Sequence, residues 1–161
     1  MPSPAPQQSG SYPIDATYAR RLQCTRQWRG FLAALGQEFA EALPPGELHA
    51  LMARIGTRFA VQQNLGNCET IAALQDAMNQ VWEGLDWGFA ELAQTPAGME
   101  VHHRFSPLAA AFGNSEEGWA TGFLQGVYQQ WFEAAGAGGL RVQVTAPLDT
   151  LGSARLRLAT A

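Results

Sequence analysis

Four stretches of this 161-residue chain repeat apolar residues at intervals of three and four, and three others alternate them at every second position. The first helical stripe is Trp28, Phe31, Leu32, Leu35, Phe39 and Leu43, which predicts a helix over 24–43. Pro44-Pro45-Gly46 breaks it, and Pro45 is suited to the first turn of a second helix carrying Leu48, Leu51, Met52, Ile55 and Phe59. Asn67 reads as the N-cap of a long third helix, with the stripe Ile71, Leu74, Met78, Val81, Trp82, Leu85, Phe89 and Leu92, stopped at Thr95-Pro96-Ala97-Gly98. The period then changes. Met99, Val101, His103 and Phe105 alternate with polar neighbours, as on a strand. Asn114-Ser115-Glu116-Glu117 carries a cap and two acids, a helix-start signal for a fourth helix over 118–135. Leu140/Val142/Val144 and Leu156/Leu158, joined around Pro147-Leu148-Asp149, predict a closing hairpin. The expected fold is α+β: three N-terminal helices followed by strand, helix and β-hairpin. Residues 1–22 form a flexible Pro/Ser/Gln-rich arm, and 23–161 a single oligomeric domain.

The fourth helix departs from an ordinary one-sided stripe. Gly118, Gly122 and Gly126 form a row at four-residue spacing, beside Trp119, Phe123, Val127 and Trp131. Each interior glycine costs roughly 1 kcal/mol relative to alanine, so a close backbone approach is expected to offset it. A helix apolar nearly all round is buried on several sides, in the centre of the domain or at a subunit interface. Trp87 falls off the stripe of the third helix, as an interface residue, a sugar platform or a second packing face. The residues expected at an oligomer interface or in packing are therefore Trp87, Phe89, Trp119, Gly122, Gly126, Tyr128 and Trp131.

Composition narrows the function. Charged residues are 15% of the chain and apolar residues 47%, which excludes disorder and suits extensive burial. There is no lysine, and the net charge is −4. Residues 31–100 hold nine acids against Arg54 and Arg58, so no basic stripe invites nucleic acid. No membrane-spanning run and no secretory signal are read in the sequence, and Cys24 and Cys68 have neither zinc nor redox spacing. A reducing cytoplasm is expected.

Candidate chemistry is sparse. His102 and His103 are adjacent on a strand, so one faces the core and one the solvent, and they cannot share a metal. His49 reads as a surface residue. Glu83 and Asp86, three apart on the third helix, share a face as a glycosidase pair would, but they flank an apolar stripe as solvated acids do. Arg141, Arg155 and Arg157 lie on the outer face of the hairpin, where arginines protect an edge or meet an acidic partner. No catalytic residue, metal or cofactor is assigned.

Four blocks together resemble the family of the D subunit of bacterial cellulose synthase. They are Phe31-Leu32-x-Ala34-Leu35, Cys68-x-Thr70-Ile71-x-x-Leu74-Gln75, Asp86-Trp87-Gly88-Phe89, and Trp119 with Leu124, Gly126-Val127-Tyr128 and Trp131. With the hairpin they span Phe31 to Leu158; the proline-rich arm before Trp28 is longer than the family pattern. The resemblance implies a non-enzymatic scaffold subunit, a ring-like octamer built as a tetramer of dimers. Such a ring works with the inner-membrane cellulose synthase complex and a proline-rich accessory protein, aligning synthases so that the glucan chains crystallise. It makes Tyr12, Tyr18, Arg20 and Arg21 the candidates for contact with β-1,4-glucan or a partner. The absent secretory signal favours the cytoplasmic over the periplasmic side. The alternative is a dimeric small-molecule-binding module with the architecture of vinyl reductases and vesicle-tethering subunits.

Overall fold

The computed structural model describes residues 23–113 and 118–161. The elements are α1 (Arg26–Ala42), α2 (Pro45–Gln62), α3 (Ile71–Gly84), β1 (Phe89–Thr95), β2 (Gly98–Arg104), α4 (Leu108–Phe112), α5 (Thr121–Ala134), β3 (Leu140–Ala146) and β4 (Ala154–Thr160). The N-terminal arm and the Asn114–Glu117 cap signal lie outside the described residues.

Prolines set the first boundary. Leu43 precedes Pro44 and is extended, with φ −126° and ψ 141°, the conformation that a following proline imposes. Pro44 then takes the N-cap position of α2 and Pro45 its first turn. The third helix is shorter than expected at both ends, starting after the Asn67 cap and stopping before the end of its stripe. Its N-cap is Thr70 rather than Asn67, with the Thr70 hydroxyl accepting from the Ala73 N–H at 3.0 Å. Its last residue is Gly84, because Asp86 (φ 57°) and Gly88 (φ 73°) turn the chain through left-handed backbone. Beyond that turn, Phe89 and Leu92 belong to a strand, not to a helix.

Among the described residues the sheet consequently has four strands, all antiparallel, in the order β1-β2-β4-β3. The tight β1–β2 hairpin turns at Pro96-Ala97 and aligns Glu91 with His102, which in turn opposes Arg155 on β4. The expected closing hairpin is β3–β4, with a register shift between Val144 and Ala146. A short helix, α4, also precedes α5.

The core lies between the inner sheet face and α2, with α5 at its centre. Val101, His103, Val142, Ala154, Leu156 and Leu158 point inward from the sheet. Nine residues of α5 are buried, including Gly122, Gly126, Tyr128 and Trp131. The close approach that the glycines promised is made by α2. A Cβ on Gly122 would meet the His49 carbonyl oxygen, one on Gly126 the Ala53 carbonyl oxygen, and one on Gly56 the Phe123 carbonyl oxygen. Two helix backbones thus touch over two turns with no side chain between them. Gly118 is not part of this row, since α5 begins at Thr121 and Gly118 sits in the preceding turn at φ 59°.

Candidate functional site

Three regions concentrate chemistry or unpartnered surface: a buried aromatic cluster, the two sheet edges, and an apolar trough beside α1.

In the cluster, Trp82 of α3 is completely buried. Phe59 stacks on it at 5.8 Å and Trp87 at 5.7 Å, and Trp131 meets it edge-on at 5.1 Å. His103 enters from β2, its ring 4.8 Å from that of Trp82. Its Nε2 is 2.9 Å from the Trp87 carbonyl oxygen and its Nδ1 2.6 Å from the Tyr128 hydroxyl. A carbonyl only accepts, so Nε2 carries the proton and Nδ1 accepts from the tyrosine. Burial holds the imidazole neutral and lowers its pKa to about 4, and burial likewise pushes the Tyr128 phenol up. The pair is saturated by its own bonds and closed to substrate; it fixes the Trp87 loop against the sheet.

His102 points to the outer face, as alternation required, with Nδ1 3.7 Å from Glu91. Partial burial lowers its pKa, helped by Arg104 and Arg155. The two histidines therefore stand on opposite faces. His49 is not a free surface residue; it is half-buried, and its Nε2 bonds the Gln125 side chain. The carboxylate pair dissolves as well, because Glu83 lies in the last turn of α3 while Asp86 lies past its end on the left-handed turn. Among the described residues no group of three or more His, Cys, Asp or Glu could hold a metal, and both cysteines are free. On the outer sheet face Arg157 pairs with Glu100 at 3.2 Å and Arg104 with Glu91 at 2.7 Å, Arg141 reaches Glu133 of α5 at 3.5 Å, and Arg155 is exposed.

Of the residues expected at an interface or in packing, Trp119, Tyr128 and Trp131 are buried within the chain. Gly122 and Gly126 face α2, and Trp87 and Phe89 are half-buried. Tyr12, Tyr18, Arg20 and Arg21 lie outside the described residues.

The sheet edges hold carboxamides to which the sequence pattern gave no role. On the β1 edge, Asn79 of α3 accepts from the Ala90 N–H at 2.7 Å and donates to the Ala90 carbonyl at 2.9 Å. Gln75 accepts from the Leu92 N–H at 2.7 Å. On the β3 edge, Gln129 of α5 accepts from the Val142 N–H at 2.8 Å and donates to the Leu140 carbonyl at 3.0 Å. Gln125 donates to the Val142 carbonyl at 2.8 Å. Four carboxamides thus take up backbone groups at Ala90 and Leu92 on one edge and at Leu140 and Val142 on the other, where an added strand would have to bond. Asn79→Ala leaves the buried Ala90 N–H and C=O unpaired, at a cost of about 1–3 kcal/mol. Calorimetry is expected to find its melting temperature lowered by several degrees; a parental value would mean that water replaces the amide.

The trough lies between α1 and the body. It encloses about 570 Å³ and is lined chiefly by apolar side chains, among them Leu32 and Leu35 of α1, Ile55 of α2, and Phe112. Only Gly36 of the 17 residues in α1 is buried, and Trp28 at its start is 55% exposed.

The family model for the D subunit of cellulose synthase matches residues 14–159, nearly the whole chain. The chain belongs to that family. This places it in bacterial cellulose synthesis as an accessory subunit of the synthase. No curated protein matches the sequence. Among the described residues of this cellulose synthase D subunit, no helix is long and apolar enough to cross a membrane.

Proposed function

We propose that this D subunit is a non-catalytic scaffold whose copies assemble into a ring, an octamer built as a tetramer of dimers. The ring lies on the cytoplasmic side of the inner-membrane synthase complex and aligns the synthases so that their glucan chains crystallise. A proline-rich accessory protein is its partner, with residues 23–161 forming the assembling domain and residues 1–22 the arm that reaches glucan or that partner. The family match over residues 14–159 carries this reading.

The surface supports it. A closed ring of dimers needs at least two different contact patches on each copy. Phe31 on α1 is 58% exposed and Val61 at the end of α2 66%, while Ile71 opening α3 and Phe105 after β2 are also exposed. These lie on separate elements, away from the self-sufficient core. With part of each sheet edge already bonded to carboxamides, assembly through helix faces and loops is favoured over strand pairing. Trp87 and Phe89, half-buried, are the expected interface residues with surface left to offer.

Size-exclusion chromatography with light scattering on the purified chain is the test. A species near eight times the 17.4 kDa chain is expected. A stable monomer or dimer across a dilution series would sink the ring and favour a ligand-binding module.

A further inference from the structure

The two faces of the sheet differ. Val101, His103, Ala154, Leu156 and Leu158 point into the core and are buried. The positions between them on β2 and β4, Glu100, His102, Arg155 and Arg157, all keep contact with solvent, so among the described residues no helix covers the outer face. By sequence, the arginines of the hairpin suited either protection of an edge or contact with an acidic partner. The strand order removes the first role for Arg155 and Arg157, because β4 lies between β2 and β3 and has no open edge.

Most charges on this face are matched. Glu91 holds Arg104 at 2.7 Å, Glu100 holds Arg157 at 3.2 Å, and Glu133 of α5 reaches Arg141 at 3.5 Å. Arg155 is exposed and makes no hydrogen bond or ion pair to the described residues, while both carboxylates of the strands are already engaged. It stands opposite His102 and lines an open groove of about 360 Å³ with Glu91, Ala93, Glu100, His102 and Arg104.

We propose that this face docks an acidic, extended segment of another protein, whose carboxylates take Arg155 and the open side of Arg157.

Charge argues for that occupant. The four outward arginines of the strands exceed the two strand carboxylates by two, on a chain whose net charge is −4. The face is thus opposite in sign to the molecule as a whole. Its excess is small against the continuous charge of a nucleic acid, which the rest of the molecule would repel. Spacing argues for an extended chain. Arg155 and Arg157 are two residues apart on one strand, about 7 Å at the antiparallel rise, and alternate side chains leave one side of an extended segment at the same repeat. Arg157 gives Glu100 its Nη2 alone, so its other terminal nitrogen can take a second carboxylate. An isolated exposed ion pair is weak, so a free carboxylate gains little here, whereas linked carboxylates add their contacts. The ring and the arm proposed above use other residues.

The test is fluorescence anisotropy of a labelled hexaglutamate peptide with the full chain at low salt, beside hexaglutamine and hexalysine. Hexaglutamate is expected to bind saturably, more weakly as salt rises, and the other two not to bind. Arg155→Glu is expected to weaken binding at least about tenfold and Arg155→Lys less than about threefold. Arg58→Glu makes the same charge change on an exposed position of α2 and is expected to stay within about twofold of the parent. Circular dichroism checks each fold, and Arg155→Gln, expected about fivefold weaker, replaces the reversal if that variant unfolds. No binding of hexaglutamate by the parent, a loss as large with Arg58→Glu, unchanged binding with Arg155→Glu, or binding of hexalysine would overturn the proposal. A fall in light-scattering mass with Arg155→Glu would also overturn it, by giving the face to a second copy of the chain. A parent that binds hexaglutamate through Arg155 yet stays monomeric would sink the ring and keep this site.

Discussion

Replacing Gly126 with leucine is expected to cost at least about 3 kcal/mol, enough to leave the chain largely unfolded or aggregated at 37 °C. The cause is where the new side chain has to go. A Cβ at that position already collides with the Ala53 carbonyl oxygen and presses on the Ala53 Cα at 2.9 Å, and both belong to the α2 backbone. Backbone cannot swing aside as a side-chain tip can, so α2 and α5 must separate. Every layer on α5 then loses contact, including the inner sheet face. Gly30→Ala is the control, because Gly30 lies inside α1 with nothing within 4 Å of its added Cβ. It removes a helix-interior glycine and is expected to stabilise by roughly 1 kcal/mol. Thermal unfolding followed by circular dichroism reads both. A Gly126→Leu chain that melts within a few degrees of the parent would sink the account of α2 and α5 as helices in backbone contact. One that melts normally but loses assembled mass would move Gly126 from intrachain packing to a subunit contact.

That contact was half-legible in the sequence. The spacing of Gly122 and Gly126 announced a close approach but not its partner, because Gly56 on α2 is isolated in sequence and carries no pattern. The helices themselves were readable, since their stripes are long and prolines mark the join of α1 and α2. β1 was not. Leu85, Phe89 and Leu92 continue the spacing of α3 by coincidence, and the inward positions of the strand are a small Ala90 and a half-buried Leu92. What ends the helix is backbone geometry at Asp86 and Gly88, to which a hydrophobicity count is blind.

Alternation put one of His102 and His103 inward and the other outward, whereas the bonds of the inward His103 to Tyr128 and the Trp87 carbonyl did not follow from it. The carboxamide closures were invisible for the same reason. Gln75 and Asn79 lie 17 and 11 positions from the strand residues they bond, and nothing in a helix surface distinguishes an amide facing solvent from one facing a strand edge. The open trough was equally hidden, because the α1 stripe reads like any core stripe until its far side proves uncovered. Local pattern thus reported each element's own periodicity, and the missing information lay in contacts between elements.

Acidification is expected to remove about 3 kcal/mol of folding stability through His103 alone. Burial holds its imidazole at about 4, against an ordinary value of 6.5, while the unfolded chain titrates near the ordinary value. Between pH 6.5 and 4 the unfolded state therefore binds a proton that the folded state refuses. Stability is fully present above pH 6.5 and falls as the pH drops toward 4, by up to about 1.4 kcal/mol per unit. Below 4 the native state itself must take the proton, and Nδ1 can then no longer accept from the Tyr128 hydroxyl. His103→Gln isolates the effect, since a carboxamide can accept from Tyr128 and donate to the Trp87 carbonyl but does not titrate. The exposed Glu91 and the partly buried His102 also shift, but they are present in both proteins and cancel in the comparison. Urea unfolding at pH 7, 5.5 and 4.5 is expected to give curves for parent and variant that converge as the pH falls. Parallel curves would mean that the ring is not held neutral, and that water reaches the cluster around Trp82.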